Sequence, residues 1–546
     1  MKVFLCLFFV FLFSQIAIAR SVQANATTNQ DEIRVDNGTS GSHTEIRSMS
    51  LSSGGYVIVW KCVTDTQVGI CSQVFNKDGT KNGSQSIIAT FSPSADLWYL
   101  KTTALEQGGY VVAWTRYDYD DEDLQTFCAV FEDDGSIRVK TFQVGLVRQL
   151  HTVVGLKDGG FVILCDNTIV YLFEADGKLR RSPFRVSDDN TLFNGFPPMA
   201  PLSDGGFVVL YIVDQTTYAQ RISANGTKQG APITVDSNLF LTSSSPMAFP
   251  LQSDGFMVMG VKDTFQSGEN TSGPGRYQRY VRIYKDNQTT PVTVLMHDDQ
   301  NYRSYFGAMA ILNSGRMVAS WMVEEANGRA FHGQVFDDSG KKFGSEFVIP
   351  LSGDFSMDFY PYSLAPLPDG GFTVVWSYDG SEGVFGQMYN EDGSPRDDVK
   401  RISNPNKDKN AGNPNVAILK DGGFSVTWMV SNGLYTKYYP CSSWDCNENI
   451  QKNLAPPKKT ETPKVQGTSS KKGPIMLIIV VTVIALLVIF GGMWIRNKIL
   501  AKRKEANSHF PIQKINRKNS NLPLIPEARE SDERDAFLNY ANDQQE

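Results

Sequence analysis

Metal-site spacings are missing from this chain of 546 residues. Its five histidines (His43, His151, His297, His332, His509) are scattered, and none of its seven cysteines forms a Cys-x-x-Cys pair. A structural zinc site, which needs closely spaced thiol and imidazole ligands, is therefore not expected. Catalytic signatures are missing too: there is no Gly-x-Ser-x-Gly elbow, no His-Glu-x-x-His and no phosphate loop. Glycosidases need paired carboxylates, and those acting on acidic sugars also need clustered Arg; no such set recurs here. The Ser-x-Asp-x-Gly-x-Thr-Trp box of sialidases is absent, and the nearest stretch, Leu419 to Trp428, has a different spacing. Neither an enzyme nor a cofactor is expected, and a glycosidase-like protein is the weakest reading. The formal net charge of −6 is small for this length, which argues against nucleic acid or a polyanion as partner.

Long apolar runs are confined to the two ends. Residues 1–19 read as a signal peptide: Lys2, an apolar stretch from Val3 to Phe13 too short to span a bilayer, then Ala17-Ile18-Ala19 as a cleavage site. Pro474 to Ile495 is 22 residues without a charge, enough at ~1.5 Å per residue to cross a hydrocarbon core of about 30 Å. Arg496, Lys498, Lys502, Arg503 and Lys504 follow it, as on a cytoplasmic flank, although Lys471 and Lys472 weaken the asymmetry. The expected topology is a single-pass type I membrane protein with its N-terminus extracellular or lumenal, at the plasma membrane or an endomembrane. Six Asn-x-Ser/Thr sequons, at Asn25, Asn37, Asn82, Asn225, Asn270 and Asn287, all precede the apolar span, as expected of a glycosylated ectodomain.

What the chain does have is a repeat. Leu51, Leu105, Leu156, Leu202, Leu251, Leu312, Leu367 and Leu419 are each followed five residues later by a large apolar residue, in four units through Asp-Gly-Gly and in the rest through a variant of it, and spacings run from 46 to 61 residues. A period of this size made of short strands points to propeller blades. The most regular unit reads Leu367-Pro-Asp-Gly-Gly-Phe-Thr-Val-Val-Trp376, Gly386-Gln-Met-Tyr-Asn-Glu-Asp-Gly393, then Val399 to Ile402. Its glycines suit tight hairpin turns and its β-branched alternation suits strands, which together make a four-stranded antiparallel meander. Such a meander has two apolar faces and buries them by radial packing against neighbours. Trp60, Trp114, Trp321, Trp376 and Trp428 recur at one position, with Cys165, Tyr211 and Gly260 replacing Trp in the other units. They are expected in the core between blades; sugar stacking would require one to be exposed.

This pattern resembles the Leu-x-Asp-Gly-Gly-[Phe/Tyr]-Val-Val-x-Trp and Gly-Gln-x-[Phe/Tyr]-x-x-x-Gly repeats of secreted and surface proteins of microbial origin. The resemblance covers residues about 31 to 440. It implies a β-propeller-like fold and suggests extracellular binding or adhesion. The expected fold is all-β: an eight-bladed propeller over residues 31–440, a stalk over 441–473, a transmembrane helix over 474–495 and a disordered cytoplasmic tail over 496–546. Glu32 to Val35 matches the last strand of a unit, and the eighth unit lacks that strand after Tyr439, so the ring is expected to close by strand exchange. Seven blades, with a degenerate hairpin near residues 254 to 296, is the alternative.

Six cysteines remain after the signal. Cys62 with Cys71 and Cys441 with Cys446 are expected disulfides; Cys128 with Cys165 either bridges blades two and three or forms a pair of buried thiols. Asp118 to Asp123 is the densest carboxylate run, open to reading as a calcium site or as a solvated hairpin tip. The tail carries Glu533-Arg-Asp-Ala-Phe537-Leu538, similar to an acidic di-leucine sorting signal read by cytoplasmic adaptors; the other reading is an unstructured acidic end. Two functions compete. One is a surface receptor or adhesion protein binding an extracellular protein or glycan; the other is a lumenal cargo-sorting receptor of the secretory or endosomal pathway.

Overall fold

The computed structural model describes residues 32–444, apart from 39–42, 64–66, 93, 121, 146–148, 167, 188–198, 214–215, 238–246, 252–254, 264–276, 286–288, 297–303, 326–327, 351–361, 378–382, 405–410 and 432. The signal, the apolar span, the tail with Phe537 and Leu538, and Asn25, Asn270, Asn287 and Cys446 lie outside the described residues. Among the described residues no helix is long and apolar enough to cross a membrane.

Eight four-stranded antiparallel sheets make eight blades. Each sheet runs in chain order from an inner strand to an outer one, except the last. There Ile33–Arg34 supplies the outer strand, pairing Ile33 with Thr436 and Arg34 with Tyr435. Val35 N extends the ladder to Leu434 O at 2.7 Å. The ring is thus closed by its first strand, which leaves no open sheet edge between first and last blades. The seven-blade alternative fails at the fifth unit: Met247–Pro250, Gly255–Asp263, Tyr277–Lys285 and Val292–Leu295 form a complete sheet. Phe256 stacks on Tyr284 there at 4.8 Å, and a Cβ on Gly260 would meet the Tyr280 ring, so Tyr280 fills the space that Trp takes elsewhere.

Local chemistry explains the repeat. In every unit the leucine N–H bonds the carbonyl of the residue four positions on, from Leu51 to Gly55 (2.9 Å) through Leu419 to Gly423 (2.8 Å). The two glycines serve different ends. Gly54 has φ +88°, which L side chains rarely adopt; at Gly55 a Cβ would sit 2.2 Å from Phe75 O, so the turn can close on the third strand only without one. The aromatic after the turn then stacks on its partner across the ladder, as Tyr56 on Phe75 (4.6 Å) and Phe424 on Tyr439 (4.6 Å). The repeat's glutamine also has a task. Gln73, Gln220 and Gln334 are buried, and each donates Nε2 to the carbonyl of the next residue and to two consecutive carbonyls where a bulge begins in the outer strand.

Burial lies between blades. Eight apolar clusters among the described residues correspond to the eight blade-to-blade contacts, the one around Val35, Trp60, Leu434 and Tyr438 joining the last blade to the first. All five repeat tryptophans are at most 1 % exposed and belong to these clusters. Stacking sugar is therefore not their role.

Candidate functional site

An antiparallel meander puts alternate connections at opposite ends of the ring. One end carries the Asp-Gly-Gly turns and the turns between third and outer strands. The other carries the turns between second and third strands and every blade-to-blade connection. These are called here the turn end and the loop end.

At the turn end the polar groups are engaged with one another. Asp78, Asp134, Asp337 and Asp392 are hydrogen-bonded by the side chains of Thr80, Ser136, Ser339 and Ser394, and secondarily by the backbone N–H groups of those residues at 2.8 to 3.0 Å, which hold their carboxyls below the usual range. They are hairpin residues, not ligands. Asp133 accepts Ser53 N and Gly109 N, both at 2.6 Å, and the Ser52 hydroxyl; although burial opposes ionisation, these bonds hold its carboxyl down. It borders a cleft of about 470 Å³ with Lys77, Asp78 and Asn82, while a cavity of about 300 Å³ lined by Glu106, Lys157, Ser203 and Pro250 marks the converging turns of four blades.

The loop end is different at blade two. The inner strand Ala95–Ala104 pairs with the second strand Tyr110–Asp118, but the register slips between Leu97, opposite Arg116, and Tyr99, opposite Thr115. Trp98 is the extra residue of this bulge. Bulges re-aim a side chain by leaving it outside the ladder, and Trp98 is 42 % exposed between buried Leu97 and Leu100. Its ring lies 4.6 Å from Tyr117 at 32°, and Tyr119 stands edge-on to Tyr117 at 4.7 Å and 88°. Tyr119 is 57 % exposed and is fixed by its N–H to Ser94 O at 2.7 Å. Tyr99 flanks the group at 6.4 Å from Trp98, and its hydroxyl accepts Gln149 Nε2 from blade three at 3.0 Å.

Polar groups surround these rings. Asp118 accepts Asp120 N (3.2 Å) and the Ser94 hydroxyl (3.4 Å), and lies 3.8 Å from Arg116. Gln125 links Arg116 (3.1 Å) to Asp123 (2.8 Å), and Asp96 pairs with Lys61 of blade one at 2.6 Å. The acidic run is thus a hairpin tip, with Asp118 opposite Asp123. Among the described residues no three metal-binding side chains converge.

The neighbouring blade is pinned. Cys62 and Cys71 form a disulfide with Cα atoms 5.8 Å apart, as the hairpin spacing requires. They sit diagonally, since Trp60 faces Cys71 and Cys62 faces Gly69. Cys441 is also disulfide-bonded. The bridge between Cys128 and Cys165 is not formed: both are buried free thiols. They share the cluster between blades two and three, so the expected faces do meet. Sheets packed face to face stand ~10 Å apart, whereas a disulfide needs Cα atoms within about 7 Å.

A second buried polar group holds the ring shut. Asp36, 3 % exposed, accepts Arg34 Nε (2.7 Å) and Nη2 (3.0 Å), His43 Nε2 (3.1 Å) and Leu434 N (3.5 Å). Burial disfavours its charge, but the bonds from His43 and Arg34 outweigh that and hold its carboxyl well below the usual range. Of the sequons, Asn37 and Asn225 are exposed and Asn82 is half-buried on an outer strand. Sequence reading missed Asp36, His43, Trp98, Tyr117 and Tyr119. The Trp98-Tyr99 and Tyr117-x-Tyr119 pairs were the available signal.

No protein-family model matches this chain, and no curated protein matches it. Solved structures similar to it include one of two prolyl endopeptidases, at 14 % identity and TM-score 0.41, covering 70 % of this chain and 53 % of theirs. Others are the β-propeller domain of the Trilobed protease from Pyrococcus furiosus, with an open velcro topology, at 9 % identity and TM-score 0.36, covering 66 % and 98 %, and a family-25 polysaccharide lyase, an ulvan lyase, at 9 % and 0.41, covering 78 % and 100 %. The chain spans about half the length of the prolyl endopeptidases it matches. Likeness at this level bears on no activity.

Proposed function

We propose that this chain is a type I single-pass membrane glycoprotein whose propeller binds an extracellular protein or glycan at its loop end, as a surface receptor or adhesion protein. The observation that carries the reading is the exposed aromatic group of blade two, in a protein whose repeat tryptophans are all buried. Large exposed aromatics beside placed polar groups are the usual chemistry of a recognition surface. The last described residues pack at the other end of the propeller from these rings: Trp444 lies on Phe424 (5.3 Å) and Tyr439 (5.1 Å), and the Ser442 hydroxyl donates to Gly422 O at 3.2 Å, all at the turn end. Binding is favoured over turnover because Asp36 and Asp133, each of which accepts several hydrogen bonds, are committed to closing the ring and its turns.

The test has two arms. The purified chain is screened against glycans and a cell-surface proteome, and its location in cells is determined by surface labelling. Saturable binding with plasma-membrane labelling is expected. A steady-state punctate endomembrane signal would replace the surface role by cargo sorting, and turnover of a bound glycan would replace binding by catalysis.

A further inference from the structure

We infer that the aromatic group at the loop end of blade two is a carbohydrate subsite for a neutral pyranose, with Trp98 as its stacking surface. The inference rests on the ligand-binding reading above and narrows it to one site and one chemical class. Three observations carry it. First, Trp98 is presented by a bulge: its side chain takes no part in the core and is nonetheless fixed, by Tyr117 against one face and Tyr99 beside it. A rigid, half-open ring costs little ordering entropy on binding, and the electron-rich face of an indole suits the C–H face of a pyranose.

Second, the shape is open. Tyr117 is covered by Trp98, and Tyr119 stands edge-on to it, so the ring faces do not converge into a box. A quaternary ammonium is held by converging ring faces; a flat surface with a raised edge suits a sugar ring lying on it. The rim supplies what hydroxyls require: carboxylate acceptors at Asp118 and Asp120, and Gln125 held in place by Arg116.

Third, the charge excludes acidic sugars. Asp96, Asp118, Asp120, Glu122 and Asp123 lie along this inner strand and hairpin against Arg116, Lys101 and Lys61, and Lys61 is already paired with Asp96. Sialylated, uronate or sulfated glycans would meet like charge there. The short hairpin tip is better explained as a selectivity rim than as a metal loop, since among the described residues no three metal-binding side chains converge there, and Asp118 and Asp123 each accept one neighbouring N–H while keeping acceptor capacity for a hydroxyl.

The experiment uses the full-length chain in a detergent without a sugar headgroup. It is applied to immobilised glycans ending in mannose, galactose, glucose or N-acetylglucosamine, and to sialylated and sulfated counterparts. Wild type should bind at least one neutral class and shift its tryptophan emission on binding. Trp98→Ala should weaken that binding by about tenfold or more, Trp98→Phe should restore most of it, and Ile137→Ala, an exposed outer-strand control, should change nothing. Because Trp98 is half-open and touches only surface rings, the melting temperature of Trp98→Ala should fall by no more than about 2 °C, which separates lost binding from lost fold. Asp118→Asn should raise binding of sialylated glycans relative to neutral ones. Preference for acidic glycans, or neutral-glycan binding unchanged in Trp98→Ala, overturns the inference. If no glycan binds but a protein ligand is captured, the subsite is wrong and the ligand-binding reading survives. If neither binds, both fall.

Discussion

Replacing Asp36 with alanine should open the ring at its seam. The carboxylate joins three parts that are distant in sequence: the closing strand through Arg34, the first blade through His43, and the last blade through Leu434 N. Not all of these bonds count equally. The Arg34 side chain is 34 % exposed and can turn to water, so its share is discounted. The His43 side chain is 1 % exposed and its Nδ1 already has no partner among the described residues, so loss of the Nε2 bond strands a buried imidazole. A hydrogen bond from a buried ring to a charged acceptor, together with the void left behind, is worth roughly 3 kcal/mol. In a domain of this size that lowers the melting temperature by roughly 3 to 4 °C. The assay is thermal unfolding at neutral pH followed by tryptophan emission, with limited proteolysis to detect release of the N-terminal segment. An acid series adds a sign. Because the folded carboxyl lies below its usual value, its stabilisation is complete above about pH 4 and is lost as pH falls further. The gap between wild type and Asp36→Asn should therefore narrow in acid. An unchanged melting temperature, with no faster cleavage ahead of Val35, would refute the clamp.

The two glycines of one turn should separate: Gly54→Ala meets only an unfavourable φ and should cost ~1 kcal/mol, whereas Gly55→Ala drives a methyl into Phe75 O and should cost ~2 kcal/mol or more by denaturant unfolding. Gln334→Leu should lower stability by ~2 kcal/mol, because the carbonyls of Val335, Phe343 and Gly344 lose a buried donor; a neutral result would make the repeat's glutamine incidental. Non-reducing peptide mapping should link Cys62 to Cys71 and leave Cys128 and Cys165 unlinked. Burial pushes both of those thiols well up, so alkylation at pH 8 should require prior denaturation, and modification of the native protein would contradict their packing.

The blade count was legible because the Leu-Asp-Gly-Gly turn is a local device. Its hydrogen bond spans four residues and its glycines answer to φ and to one nearby carbonyl, so sequence alone specifies it wherever it recurs. Ring closure was legible for a related reason: a unit short of its last strand at one end, and an extra strand at the other, is a counting argument. The Cys62–Cys71 bridge followed from hairpin spacing. Trp98 could not be read the same way. Alternation along Ala95 to Ala104 assigns faces only while the register holds, and the slip beside Trp98 is set by how two strands pair, not by either strand's residues. The seam around Asp36 depends on Leu434, 398 residues away, which no local pattern connects. Cys128 and Cys165 show the limit most plainly. Strand alternation put them on facing sheets, and they are there; whether they bond depends on the gap between sheets. That gap is decided by side-chain volume summed over the whole interface, a quantity that exists only once the ring has packed.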